Sequence, residues 1–145
     1  MLVSLQLALP IADIHNNIAA EPLRISHQLC EGLPPTPAAD SIRRQLLDSS
    51  GSADSNYRAA CRARTRKEFI SKLGVVVEES DESLGWLQLL IDSSICTNEG
   101  IEELRDEANQ LVAIFVQSEK TAKRNYELEM ERRRAGRERR SQRRR

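Results

Sequence analysis

Apolar residues recur along this chain in steps of three and four, not two. From Phe69 the pattern runs Leu73, Val76, Ser80, Leu84, Leu87 and Ile91, and from Ile101 it runs Leu104, Ala108, Leu111, Phe115, Ser118 and Ala122. Positions three and four apart share one face of a helix, so both stretches read as amphipathic helices with the near-3.5 repeat of a bundle. The first is predicted from Arg66 to about Ser93. The second follows a cap at Thr97 or Asn98 and has Met130 as its last packing residue. Thr65-Arg66-Lys67-Glu68 fits the S/T-x-x-E capping box, in which Thr65 accepts from the Glu68 N–H and Glu68 reaches back to the Thr65 N–H. That places a tight helix–helix connection at Arg64 and Thr65.

Upstream, Ile42, Leu46, Leu47, Ala53, Tyr57, Ala60 and Cys61 outline another helix, capped by Asp40 or Ser41. Its middle, SSGSADSN from Ser49 to Asn56, reads as a turn by propensity and as a helix by spacing. We read a continuous helix, because the apolar spacing crosses the run and small residues let a neighbouring backbone approach closely. Leu23, Ile25, Leu29, Cys30 and Leu33 sketch a first helix, with Pro22 in its first turn and the run LPPTP as its end. Residues 1–19 show no clean period and read as a loose leader. Past Met130, RRRAGRERRSQRRR has no apolar face; it extends the last helix as a solvated rod or frays into coil. Four helices with short connections predict an all-α, up-and-down antiparallel four-helix bundle over 20–126, followed by a basic C-terminal extension over 127–145.

Composition agrees with this class. The chain has 145 residues, one domain's worth, and only 3% aromatic residues, where β-proteins lean on aromatic and β-branched side chains. No uncharged apolar run is long enough to span a membrane. The start, MLVSLQLALPIAD, has no Lys or Arg ahead of its apolar run and breaks at Pro10, unlike a signal peptide. Cys30, Cys61 and Cys96 lack metal or redox spacing, so we expect reduced thiols that pack as small core residues in a cytoplasmic protein.

Charge changes the picture more. The formal net charge is zero, yet Lys120–Arg145 holds 12 basic and 4 acidic residues, leaving 10 basic and 18 acidic for the rest. Within the body, ACRARTRKEF (Ala60–Phe69) is basic and EESDE (Glu78–Glu82) is acidic. A hairpin turning at Arg64 and Thr65 sets residue i level with 129 − i, so Glu78 lies roughly 10 Å, and Glu82 roughly 16 Å, past the level of Arg58. The two blocks therefore miss each other within one hairpin. Three accounts remain: a solvated acidic face, a partner helix or subunit, or a metal. His15 and His27 lie outside the central helices and neither follows a Glu at the di-iron spacing, so neither metal nor cofactor is expected. Arg58, Arg62 and Arg66, spaced by four, form a basic face suited to the second account, and we assign Arg58, Arg62, Arg66, Glu78 and Glu82 as subunit contacts.

The stretch NYRAACRARTRKEFISKLGVVVEESDESLGWLQLLID (Asn56–Asp92) resembles the bacterial four-helix-bundle proteins of the 23S rRNA intervening sequence protein family. RRQLLDSS (Arg43–Ser50), EANQLVAIFVQS (Glu107–Ser118) and KTAKR (Lys120–Arg124) extend the resemblance over roughly residues 38 to 124. It implies an up-and-down bundle, a helical SSGSADSN and association into rings, typically pentamers. It brings no catalytic residues. A related branch, the accessory variability proteins of diversity-generating retroelements, binds a reverse transcriptase and nucleic acid. This chain departs from the family pattern at Pro22 and at Asp54.

Two functions follow as expectations. The first is a non-enzymatic homo-oligomer, a pentamer by resemblance, acting as scaffold or adaptor. The second is sequence-nonspecific RNA or DNA binding through Arg132, Arg133, Arg134, Arg137, Arg139, Arg140, Arg143, Arg144 and Arg145, which can hold phosphates but lack aromatic partners for bases. Against an enzyme stands the lack of a phosphate loop, a nucleophile–His pair or a ligand cluster.

Overall fold

The computed structural model describes residues 11–96 and 100–142, with side chains from residue 21 onward. The described residues form four helices: α1 (Ile11–Glu31), α2 (Pro37–Cys61), α3 (Arg66–Asp92) and α4 (Ile101–Gln142). Each packs antiparallel to the next, and α1 closes the circuit against α4, where Arg24 Nη2 reaches Glu107 Oε2 at 2.7 Å.

The start of α3 follows the capping box, with one shift. Thr65 Oγ1 accepts from the Glu68 N–H at 3.1 Å, but Glu68 Oε2 accepts from the Arg64 N–H at 3.0 Å rather than from Thr65. The carboxylate reaches one residue further out and covers the donor of the connecting turn. α2 begins earlier than Asp40 or Ser41. Thr36 is its cap, accepting from the Ala39 N–H at 3.2 Å, and Pro37 opens the helix. LPPTP thus stops one helix and starts the next, because proline at the first helical position loses no hydrogen bond.

Pro22 is a second correction. It lies inside α1, which begins at Ile11, not in a first turn near residue 21. An interior proline removes the N–H that would meet the Ile18 carbonyl and costs about 3 kcal/mol in an isolated helix. Here Pro22 lines a small core cavity with Ile25, Ser26, Ser80, Ser83 and Leu87, so tertiary packing holds the helix through it. The caps expected at Thr97 or Asn98 lie outside the described residues.

SSGSADSN is helical throughout, as its spacing implied. Ser49 and Ser50 are buried, and both send their hydroxyls back to the Leu46 or Gln45 carbonyls of their own helix. Ser49 Oγ also meets Ser83 Oγ of α3 at 2.7 Å. Together with Ser26 and Ser80, all 6% exposed or less, these make a serine layer at mid-bundle. One apolar cluster lies to one side, around Leu29, Leu46, Leu87 and Leu90; a smaller one, Val76, Leu111 and Phe115, lies to the other.

Ser80 Oγ is buried without a hydrogen-bond partner. Removing a buried, unpaired hydroxyl relieves a desolvation penalty. Ser80→Ala is therefore expected to leave stability unchanged or raise it by up to about 1 kcal/mol in a urea titration, whereas most core truncations lower it.

Candidate interaction surfaces

The predicted contact residues divide once their surroundings are seen. Arg58 donates to both carboxylate oxygens of Asp54 at 3.0 and 3.2 Å, one turn back on α2. Asp54, the departure from the family pattern, thereby has its charge matched locally. Arg66 pairs with Glu129 of α4 at 3.1 Å. Arg62 and Glu78 are exposed, and Glu82 accepts a hydrogen bond from the Trp86 indole N–H at 3.2 Å. Among the described residues no ion pair joins Arg58, Arg62 or Arg66 to Glu78 or Glu82. The α2–α3 register explains this. Lys72 Nζ donates to Asn56 Oδ1 at 3.3 Å and Ser49 meets Ser83, both within three positions of the level expected from the turn. Trp86 is half-buried against the larger apolar cluster.

Three-dimensional placement adds what the sequence alone did not. The Arg66–Glu129 pair sets the start of α3 level with residue 129 of α4. Past that level α4 continues as a helix to Gln142, and every residue from Glu131 to Gln142 is exposed. Twelve residues at 1.5 Å each make a rod of about 18 Å beyond the bundle. The rod leaves from the end that carries the α2–α3 turn. ACRARTRKEF and the arginine-rich tail, far apart in sequence, therefore converge: Arg62, Arg64 and Lys67 are exposed at the root of the rod. Acidic residues gather in the rest of the bundle, where Glu78, Asp81, Glu82, Asp92, Glu102 and Glu103 are exposed. The zero net charge conceals a molecule with one strongly basic end.

A second surface is apolar. Phe69 of α3 and Ala113, Ile114, Thr121 and Ala122 of α4 line an open groove of about 640 Å³. Ile114 is 43% and Leu128 44% exposed. Glu107, Ile114, Thr121 and Leu128 are spaced by sevens, so the groove continues the stripe through which α4 meets Arg24 of α1. No described side chain covers it.

The remaining polar chemistry is modest. Tyr57 packs its ring on Phe115, centroids 5.5 Å apart, and its hydroxyl interacts with the Cys61 thiol. Burial, then Cys61, pushes the Tyr57 phenol up to about 12. Its ordinary value is about 10, so the folded state prefers the protonated form. Stability is expected to be intact below about pH 10 and to fall as pH rises toward about 12, with Tyr57→Phe flattening that limb of a pH–denaturation curve. Of the three cysteines only Cys96 is buried; Cys30 is half-buried and Cys61 exposed, which corrects the expectation of three core thiols. Cys61 ends α2, where the chain turns outward. No described helix is long and apolar enough to cross a membrane, and no described His, Cys, Asp and Glu side chains cluster in a group of three or more that could hold a metal ion.

Similarity to known proteins agrees with the architecture. No curated protein matches the chain. A crystal structure described as a protein with unknown function from the S23 ribosomal protein family of Bacteroides thetaiotaomicron VPI-5482 superposes with a TM-score of 0.65 at 25% identity, covering 74% of this chain and 96% of that one. The model of the 23S rRNA-intervening sequence proteins matches residues 17–117, from within α1 to the middle of α4, and stops short of the basic rod. With over two-thirds of its length matched and all four helices in place, the chain belongs to the 23S rRNA-intervening sequence protein family.

Proposed function

We propose that this protein is a non-enzymatic homo-oligomeric bundle, a ring of five by family resemblance, that serves as a scaffold or adaptor. The observation that carries this reading is the uncovered apolar surface of α4, with Ile114 in the groove beside Phe69 and Leu128 two heptads further along, both more than 40% exposed. A contiguous apolar groove of this kind is the usual mark of an association surface. Arg62, Glu78 and Glu82 have no intrachain ion pair among the described residues, which leaves them available to set register between copies.

Sedimentation at low and high salt tests the reading. A mass of several 16.4 kDa chains is expected at micromolar concentration. Arg62→Glu is expected to weaken assembly by about tenfold or more, and adding Glu82→Arg to restore part of it, since close interfacial charge pairs couple by 1.5 kcal/mol or more. A monomer at micromolar concentration overturns the reading.

A second reading, nucleic-acid binding, is favoured by the convergence of the α2–α3 turn and the rod at one basic end. The full chain is then expected to bind nucleic acid with a steep salt dependence. Absence of binding at low salt overturns it.

A further inference from the structure

The basic rod has an internal organisation that a solubilising tail does not require. At 100° per residue, Glu131, Ala135, Glu138 and Gln142 fall along one side, while Arg132, Arg133, Arg134, Arg137, Arg139 and Arg140 spread over the opposite arc. Arg133 and Arg140 lie on the side of Glu129, the side on which Arg66 is paired. The middle of the arginine arc, at Arg133 and Arg140, therefore faces the same side as the α2–α3 turn. Arg62, Arg64, Lys67, Arg132, Arg134, Arg137, Arg139 and Arg140 have no ion pair among the described residues.

The rod is also poorly supported on its own. Every residue of it is exposed, and Gly136 sits mid-rod with open space around it. Arg133–Arg137, Arg134–Arg137 and Arg137–Arg140 are like charges at helical spacings of four and three, which destabilise an exposed helix. A polyanion along the arc would relieve each of these repulsions.

We infer that the arginine arc of the rod docks in the major groove of double-stranded DNA, with Arg62, Arg64 and Lys67 of the α2–α3 turn holding the flanking phosphates. This rests on the second reading above and narrows it. A helix is 10–12 Å across and the B-form major groove is about 12 Å wide, so the rod fits. The A-form major groove of duplex RNA is too narrow and deep for it. Single strands would call for aromatic platforms, and the rod has no aromatic residue. Eight cations without an acidic side-chain partner predict binding dominated by phosphates and tolerant of sequence.

The test is fluorescence anisotropy of the full chain with a labelled DNA duplex, the RNA duplex of the same sequence and each single strand. The DNA duplex is expected to bind at least about tenfold more tightly than the others, with a slope of log K against log salt of roughly −5 to −7. Arg62→Gln/Arg64→Gln/Lys67→Gln is expected to lose about tenfold and to reduce that slope by 2 to 3. Gly136→Pro keeps every charge but breaks the rod, and is expected to lose about tenfold; Gly136→Ala, a better helix former, is expected to gain a few-fold. Equal or tighter binding of duplex RNA or single strands overturns groove docking while the nucleic-acid reading stands. So does an unchanged Gly136→Pro affinity. A turn variant that binds like the parent removes the turn from the site, and no binding of any probe ends both readings.

Discussion

Phe115→Ala is expected to destabilise the bundle by about 3–5 kcal/mol, one of the two largest effects of any single change in this chain. Phe115 is 1% exposed, and only Val76 and Leu111 share its cluster as buried apolar residues. Tyr57 rests on its ring from the opposite corner of the bundle. The serine layer separates this cluster from the larger one, so neighbours there cannot collapse into the space without burying hydroxyls. A truncation at Leu46, in the larger cluster, has more apolar neighbours to relax toward it. Chemical denaturation of Phe115→Ala should show a lower midpoint. Amide exchange should accelerate first at the end of the bundle that carries Tyr57 and the basic turn, where Phe115 is the largest fully buried side chain and its other buried apolar residues, Ala53, Ala60 and Leu73, are smaller. An effect under about 1 kcal/mol would mean that Phe115 does not organise this half.

How much of this was legible beforehand depended on whether a signal was local. The start of α3 followed from the capping box at Thr65, a signal confined to four neighbouring residues, and the expected limits, Arg66 to about Ser93, were placed to within a residue. The stripe of α3 was read less fully. Ser83 and Leu90 are buried although the heptad pattern omits them, while Leu84 and Ile91 are only half-buried. A strict 3.5 repeat drifts about 20° per heptad on a straight helix, and α3 packs between α2 and α4, so its buried arc is wider than one stripe. The beginning of α1 was not legible, because an interior proline is tolerated only when the surrounding core sustains the helix.

The candidate surfaces show the same division. That Arg58, Arg62 and Arg66 miss Glu78 and Glu82 could be calculated from one turn position. That Arg66 meets Glu129 could not, since it depends on how far α4 slides along α3. The basic end depends on the same slide. Two segments separated by more than sixty residues reach one place only because α3 and α4 are antiparallel and α4, at 42 residues, outruns its 27-residue neighbour. Exposure of Ile114 and Leu128 likewise depends on how the neighbouring helices sit against α4, which no pattern within α4 reveals.

Ser49→Leu is the second change of large expected effect, about 3 kcal/mol or more of destabilisation. By helix propensity the substitution is favourable, since leucine outranks serine in a helix interior. Packing decides the sign instead. Ser49 is 3% exposed and its Oγ lies 2.7 Å from Ser83 Oγ, so three added carbons meet α3 with no space to enter. A small residue at Ser49 is therefore required by the spacing of α2 and α3, not by helix formation, whereas Gly51 in the same run faces open space. The control is the double substitution Ser49→Ala/Ser83→Ala. It removes both hydroxyls of the pair, leaves neither unpaired, and keeps the helices as close, so its expected effect is within about 1 kcal/mol of zero. Ser49→Ala alone strips Ser83 of that partner but leaves it the Glu79 carbonyl at 2.9 Å, and should fall between the two. Urea titration of the three variants gives the order. If Ser49→Leu proves as stable as the parent, the helices can move apart freely, and close approach is not what selects small residues in the middle of α2.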